Sequence, residues 1–115
     1  MDNATPNIPA DLKPRLDEAV RRIVQIAHPR LVILFGSHAE RRSRGDSDVD
    51  LLVVAETPSW HRLGMELRRA IRPVLGSQPF DLLVYPPESW EVDRVVTGFV
   101  AHEADRKGVR LYHAH

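Results

Sequence analysis

The chain has 115 residues, enough for one small domain with a single core. It is 43% hydrophobic and 28% charged, a composition typical of globular proteins that excludes a disordered or fibrous chain. Sixteen Lys and Arg residues balance sixteen Asp and Glu residues, so no overall positive field favours direct DNA binding. There is no cysteine, which excludes disulfides, thiolate zinc sites and cysteine nucleophiles.

The sequence predicts a single domain over residues 1–115, in which residues 1–9 are expected to fray. The N-terminus has no basic segment followed by an apolar stretch, which is the pattern of a signal peptide. The longest apolar runs, at residues 31–35 and 51–55, are too short to cross a bilayer. We therefore expect a cytoplasmic protein without membrane contact.

The first half of the chain predicts a helix, a strand, a turn and a second strand. Apolar residues at helical spacing predict the helix over about residues 10–27. Residues 31–35 form a short continuous apolar run, which predicts a buried strand that leads into a turn at Gly36 and Ser37. Polar and basic residues follow, and residues 49–54 then predict the second strand.

The second half predicts a helix, a strand, a further helical region and a last strand. The helix covers about residues 59–74, and residues 80–85 form the strand. Residues 88–107 predict one or two helices with a break at Gly98, and a short strand follows at 109–112. This order predicts an α/β sandwich in which a small mixed sheet packs against helices.

Three aspartates lie near the starts of predicted strands. Side chains alternate along a strand, so Asp48 and Asp50 point to one side while Val49 points to the other. Two carboxylates this close repel each other unless a cation lies between them, and Mg²⁺ prefers such oxygen ligands together with phosphate. If the third strand lies beside the second, Asp81 either completes a two-metal site or accepts a proton from an attacking hydroxyl. The residues therefore predict a magnesium site that takes a nucleoside triphosphate.

The turn at Gly36 and Ser37 has the residue types of a phosphate-binding turn. A glycine lets backbone N–H groups approach a phosphate closely, and the Ser37 hydroxyl adds a hydrogen-bond donor. Arg41, Arg42 and Arg44 follow before the carboxylates, where a guanidinium can pair with phosphate oxygens. This part of the chain is therefore predicted to hold the triphosphate.

The spacing G-S-x(10)-D-x-D, formed by Gly36, Ser37, Asp48 and Asp50, resembles the signature of the DNA polymerase beta nucleotidyltransferase superfamily. The size of the chain, the stretch S-D-V-D-L and the late segment G-V-R-L-Y further resemble its minimal, stand-alone subfamily, called MNT. The resemblance covers about residues 10–112. It implies a polymerase-beta-type nucleotidyltransferase fold.

The resemblance also implies roles for individual positions. Asp48, Asp50 and Asp81 match the catalytic carboxylates that hold magnesium, with two Mg²⁺ ions at the site. The positions that match the nucleotide-binding turn and loop are Gly36, Ser37, Arg44 and Ser47. The sequence departs from the family at Glu40, where the family often has arginine, and this departure puts an acid near the triphosphate.

Members of this subfamily are commonly encoded beside a HEPN partner and act as antitoxins that transfer AMP from ATP to a tyrosine of that toxin. The resemblance therefore implies a protein adenylyltransferase (AMPylation) with ATP as substrate and a HEPN-type protein as partner. Two alternatives stay open: a catalytically inactive antitoxin that neutralises a partner by binding, and a small-molecule nucleotidyltransferase of the antibiotic type. The second helix and the C-terminal helices also carry apolar stripes that one short chain does not fully cover, which favours a homodimer or a hetero-complex.

Overall fold

The computed structural model describes residues 8–36, 39 and 48–114. Those residues form eight elements in chain order: α1 (Lys13–Ala27), β1 (Leu31–Phe35), β2 (Val49–Val54), α2 (Trp60–Leu75), β3 (Phe80–Tyr85), α3 (Pro87–Asp93), α4 (Val100–Lys107) and β4 (Val109–His113). Each predicted strand and helix is present, and the C-terminal helical region is divided into two helices.

The strands of the described residues form one sheet in the order β3-β2-β1-β4. β1 is antiparallel to both β2 and β4, whereas β2 and β3 are parallel. A parallel pair needs a crossover connection, and α2 provides it. The predicted α/β class with a mixed sheet is therefore confirmed.

Local chemistry sets the starts of the two long helices. α1 begins at Lys13, later than predicted, because Pro14 lacks an N–H group and fits the first turn, while residues 10–12 form a turn. α2 begins after Ser59, whose side chain accepts a hydrogen bond from the N–H of Arg62 at 3.2 Å.

No helix in the described part of the chain is both long enough and apolar enough to cross a membrane.

Side chains that alternate along the strands form two cores, one on each face of the sheet. The α1/α2 core lies between the sheet and the helices α1 and α2, and the α3/α4 core lies on the opposite face. Along β2, Leu51 and Val53 belong to the first core, whereas Leu52 and Val54 belong to the second. The described residues bury 16 side chains in the α1/α2 core and seven in the α3/α4 core, so most of the hydrophobic stabilisation comes from the first.

Candidate active site

Two of the predicted carboxylates lie side by side in the sheet. In the register of the strands, Asp50 of β2 is opposite Asp81 of β3 and also opposite Phe35, the last residue of β1. Neighbouring strands lie about 4.8 Å apart, and residues in register on parallel strands point to the same face. Asp50 therefore lies next to Asp81, at the end of the sheet where β1 ends and β2 and β3 begin.

Both carboxylates lie on the face of the sheet that α3 and α4 cover. Their chain neighbours Leu51 and Leu82 are in the α1/α2 core, so alternation directs Asp50 and Asp81 to the other side. Asp50 is partly buried, and Asp81 is exposed. Because the two carboxylates are at the sheet's end and in contact with solvent, a ligand can approach them from outside.

The third predicted carboxylate, Asp48, lies just before β2 rather than within it. The strand begins at Val49, and the Asp48 side chain is exposed. Asp48 and Asp50 are two positions apart, which keeps both at the same end of the strand. The structure thus places the three aspartates at one end of the sheet, with Asp50 and Asp81 in direct register.

Gly36 lies against the Asp50 side chain at the end of β1. Its φ of 78° is in the left-handed region, which side chains with a Cβ rarely adopt. A Cβ built at this position would collide with Oδ2 of Asp50 and would lie 3.3 Å from its Cγ. Both the backbone conformation and the available space therefore require glycine. The predicted turn and the predicted carboxylates meet at this point.

Several other predicted site residues cannot be placed, because they lie outside the described residues. These are the residues between the glycine turn and β2: Ser37, Glu40, Arg41, Arg42, Arg44 and Ser47. Ala39 is described, and its side chain is buried in the α1/α2 core.

Two arginines that sequence reasoning did not assign to the site hold the backbone around Asp81. The first is Arg68 on α2, whose Nη2 donates a hydrogen bond of 2.6 Å to the carbonyl oxygen of Leu82. Leu82 directly follows Asp81, and its own N–H donates to Oδ1 of Asp81 at 2.9 Å. β3 is an edge strand, so this contact fixes a carbonyl group at a point where the sheet has no further strand.

The second arginine is Arg72, one helical turn later on α2. Its Nη1 donates to the carbonyl oxygens of Gly76 at 2.6 Å and Gln78 at 3.2 Å, which closes the turn between α2 and β3. Its guanidinium carbon lies 4.3 Å from the centre of the Phe80 ring, a cation–π contact. The two arginines therefore hold the chain on both sides of Asp81. Their i, i+4 spacing on one helix was visible in the sequence, but their long-range partners were not.

The carboxylate pair is a partial set of magnesium ligands. Within the described ranges, no group of three or more His, Asp or Glu side chains is arranged to hold a metal ion. Mg²⁺ often takes only one or two carboxylates and fills its remaining positions with water and phosphate oxygens. The oxygen atoms of Asp50 and Asp81 fit that requirement chemically.

Two open clefts lie at the opposite end of the sheet. One of about 530 Å³ and one of about 550 Å³ share Arg30 and Pro87 among their lining residues. Arg30 precedes β1, so these clefts are a full strand length away from Gly36 and Asp50. Arg30 is also paired with Glu56 at 2.9 Å. The clefts therefore do not belong to the carboxylate site.

The sequence also matches a known protein family. Residues 18–113 match the family described as polymerase beta, nucleotidyltransferase. The match covers most of the chain, and the chain therefore belongs to this family. The resemblance seen in the sequence motif is confirmed.

Solved structures share the fold at low sequence identity. A toxin–antitoxin structure with AMP-PNP is 20% identical, with a TM-score of 0.60, and the alignment covers 85% of this chain and 73% of that chain. A mutant of the toxin–antitoxin MntA-HpeT is 17% identical, with the same TM-score and the same coverage. Spectinomycin adenyltransferase from Enterococcus faecialis, with ATP and spectinomycin, is 17% identical at a TM-score of 0.56. That alignment covers 94% of this chain but only 57% of the adenyltransferase. The sequence matches no curated protein.

Proposed function

We propose that this chain is a Mg²⁺-dependent nucleotidyltransferase that transfers AMP from ATP to a tyrosine hydroxyl of a HEPN-type toxin, and so acts as an antitoxin. The observation that carries the proposal is the register of Asp50 and Asp81 beside Gly36, in a domain of the polymerase beta nucleotidyltransferase family. The toxin–antitoxin structures of the same fold, one of them with AMP-PNP, support the choice of substrate and partner. Use of ATP also favours the cytoplasmic location that the sequence predicts.

In the proposed reaction, the tyrosine oxygen attacks the α-phosphorus of ATP. A bond forms between that oxygen and phosphorus, the bond to the bridging oxygen breaks, and pyrophosphate leaves. Asp81 accepts the hydroxyl proton through the carboxylate oxygen that the N–H of Leu82 does not occupy. Asp48, Asp50 and Asp81 would hold magnesium, which would supply positive charge to stabilise the phosphate oxygens during transfer.

The nucleotide is proposed to lie over the turn that follows β1. Gly36 allows backbone N–H groups to approach the phosphates closely, because it has no side chain and tolerates a positive φ. The further proposed nucleotide contacts are Ser37, Arg44 and Ser47. Since Gly36 touches the Asp50 side chain, phosphates held by the turn lie next to the carboxylates. We also propose that residues 1–115 act as one domain.

The test combines the purified chain, the HEPN-type protein encoded beside it, ATP and Mg²⁺, and measures the intact mass of the partner. We expect the partner to gain one or more AMP units. Asp50→Asn and Asp81→Asn should each lower the transfer rate at least about 100-fold, because a ligand for the charge-stabilising metal is lost. Asp17→Asn is the matched control, because Asp17 is an exposed aspartate on α1 that pairs only with Lys13 among the described residues.

The outcomes separate the proposal from its alternatives. Full transfer by Asp50→Asn would contradict the assigned site. Transfer to spectinomycin but not to the protein would indicate a small-molecule enzyme. The second candidate function is an inactive antitoxin that acts by binding, and the large exposed apolar surface between α3 and α4 favours a binding role. A stable complex that forms without any mass gain, and that survives substitution of all three aspartates, would establish that candidate.

A further inference from the structure

The segment between α3 and α4 exposes a cluster of apolar side chains. Among the described residues seven large apolar side chains are exposed, and five of them lie within nine consecutive positions. The cluster, here named the 92–100 patch, consists of Val92, Val95, Val96, Phe99 and Val100. Val95 is 65% exposed and Phe99 is 46% exposed. Single exposed apolar residues are ordinary, but such a concentration is typical of an interaction surface.

The backbone holds the 92–100 patch in a defined shape. The N–H of Val96 donates to the carbonyl oxygen of Asp93 at 3.1 Å, and the N–H of Phe99 donates to that of Val96 at 3.2 Å. The helices on either side are packed on the sheet, since Trp90 of α3 and Ala101 of α4 are both in the α3/α4 core. A surface that is already ordered loses little conformational entropy when a partner binds.

The patch belongs to the same side of the molecule as the carboxylate pair. The helices α3 and α4, which flank the patch, cover the sheet face to which Asp50 and Asp81 are directed. α4 runs from Val100 in the patch to Lys107, which directly precedes the strand β4 that begins at the same end of the sheet as the carboxylates, so the patch is at the end of α4 farther from them. A protein that binds the patch therefore lies on the same face as Asp50 and Asp81 and must extend along α4 to reach them.

The charges around the patch indicate the chemistry of its partner. Residues 86–107, which include α3 and α4, contain five acidic and three basic residues, an excess of two negative charges. Arg94 is paired with Glu91 at 3.0 Å and with Asp105 at 3.4 Å, and Lys107 is paired with Glu103 at 3.4 Å. Glu88 is exposed and has no ion pair with another described residue. An apolar centre with an acidic surround fits a partner whose apolar side chains are surrounded by Lys and Arg.

A second copy of this chain is a poor match for the same surface. A twofold dimer through the patch would bring two acidic surrounds together, and like charges at an interface disfavour association.

We infer that the 92–100 patch is the docking surface for the acceptor protein, which contacts it with apolar side chains and a basic surround. This inference rests on the proposed function, because it gives a binding surface to the acceptor of that reaction. The central contacts are made by Val95 and Phe99, and Glu88 contributes at the margin. An acceptor docked here extends along the same sheet face to bring its hydroxyl to the carboxylate pair.

The test measures binding separately from transfer. The probe is the HEPN-type protein encoded beside this chain, titrated calorimetrically in EDTA and without ATP so that no AMP is transferred. Val95→Glu combined with Phe99→Glu should weaken binding at least about 100-fold, because two central apolar contacts are lost. Glu88→Lys should weaken it about 3- to 10-fold through charge. Trp60→Glu combined with Met65→Glu, on exposed residues of α2, is the matched control and should change binding less than about threefold.

Circular dichroism and thermal unfolding establish that each variant is folded, and all four substituted residues of the two double variants are exposed. Unchanged affinity of the patch variant, equal loss in the α2 control, or no binding by the wild type would overturn the inference. So would a homodimer, detected by light scattering, that the patch substitutions dissociate. Patch-dependent binding without AMP transfer would support the docking surface and contradict the proposed reaction. Undiminished AMP transfer by the patch variant would support the proposed reaction and contradict the docking surface.

Discussion

The α1/α2 face of the sheet buries 16 residues beneath helices of 15 and 16 residues, whereas the α3/α4 face buries seven beneath helices of seven and eight residues. The same strands supply both faces, since β2 sends Leu51 to one and Leu52 to the other. Asp50, Asp81 and the 92–100 patch all lie on the less covered side.

The α1/α2 face therefore provides most of the stability of the domain, whereas the α3/α4 face carries the candidate site. A carboxylate with the proposed role of meeting a nucleotide and an acceptor cannot be buried under a long helix, because burial would exclude the ligand and destabilise the charged form of the carboxylate. The α3/α4 face therefore has little room for a large core. The α1/α2 face supplies the burial that holds the sheet together, and its helix α2 also reaches the site through Arg68 and Arg72.

The largest predicted effect compares two leucines that are neighbours in the chain. Leu51→Ala should lower the free energy of unfolding by about 4 kcal/mol, because it leaves a cavity in the larger core. Leu52→Ala should cost about 2–3 kcal/mol, because the smaller core beside it collapses more readily into the space. Both leucines are fully buried, so the pair controls for residue type and burial. Urea unfolding measures both values, and an equal or reversed cost would contradict the comparison.

The next prediction concerns Gly36, which contributes both to the stability of the fold and to the geometry of the candidate site. Gly36→Ala should destabilise the protein by about 1–3 kcal/mol, because alanine is strained at a positive φ. The new Cβ must also displace the Asp50 carboxylate. AMP transfer should therefore fall more than the loss of stability explains at a temperature where the variant is fully folded. Gly76→Ala is the control, because Gly76 also has a positive φ, of 62°, and among the described residues an added Cβ would meet only the end of the Arg15 side chain, at 3.6 Å. Equal transfer by the two variants would show that the Gly36–Asp50 contact is unimportant.

Sequence reasoning predicted the elements of this fold because its signals are local. The apolar runs at 31–35 and 49–54 coincide with the observed bounds of β1 and β2. The start of α1 was set too early because the apolar spacing continues to Leu12, which is buried without being helical. Boundaries depend on backbone hydrogen bonds that the apolar pattern does not record.

The candidate site was predictable in its residue types and only partly in its geometry. The spacing of Gly36, Asp48 and Asp50 gave the motif, and alternation gave the common face. The position of Asp81 depended on which strand lies beside β2, a long-range fact that only the sheet order provides. The contacts of Arg68 and Arg72 depend on how α2 packs beside β3, which no local pattern encodes.

A smaller effect is predicted for Arg72, which lies on α2 and holds the chain segment that leads to Asp81. Arg72→Ala removes hydrogen bonds to two carbonyl groups and a cation–π contact, and should cost about 1–2 kcal/mol of stability. Because these contacts precede Asp81, the variant should also lower kcat for AMP transfer while leaving the KM for ATP within about twofold. Arg69→Ala is the matched control, because Arg69 is also an exposed arginine on α2. A stability loss with unchanged kcat would mean that Arg72 supports the fold alone.

The smallest predicted effect is a pH dependence of the α3/α4 face. Tyr85 packs edge-to-face on Trp90 at 6.3 Å, and burial, followed by the charge and hydrogen bond of Asp93, raises the pKa of its hydroxyl above the usual value. A raised pKa in the folded state means that the neutral hydroxyl is favoured by folding. That contribution is complete below the unfolded pKa of about 10 and is lost as pH rises through the folded value. Tyr85→Phe should therefore flatten the loss of stability above about pH 10 in urea unfolding, compared with wild type and with Tyr112→Phe on the α1/α2 side. If stability fell equally above pH 10 in all three proteins, Tyr85 on the α3/α4 face would not contribute to the pH dependence.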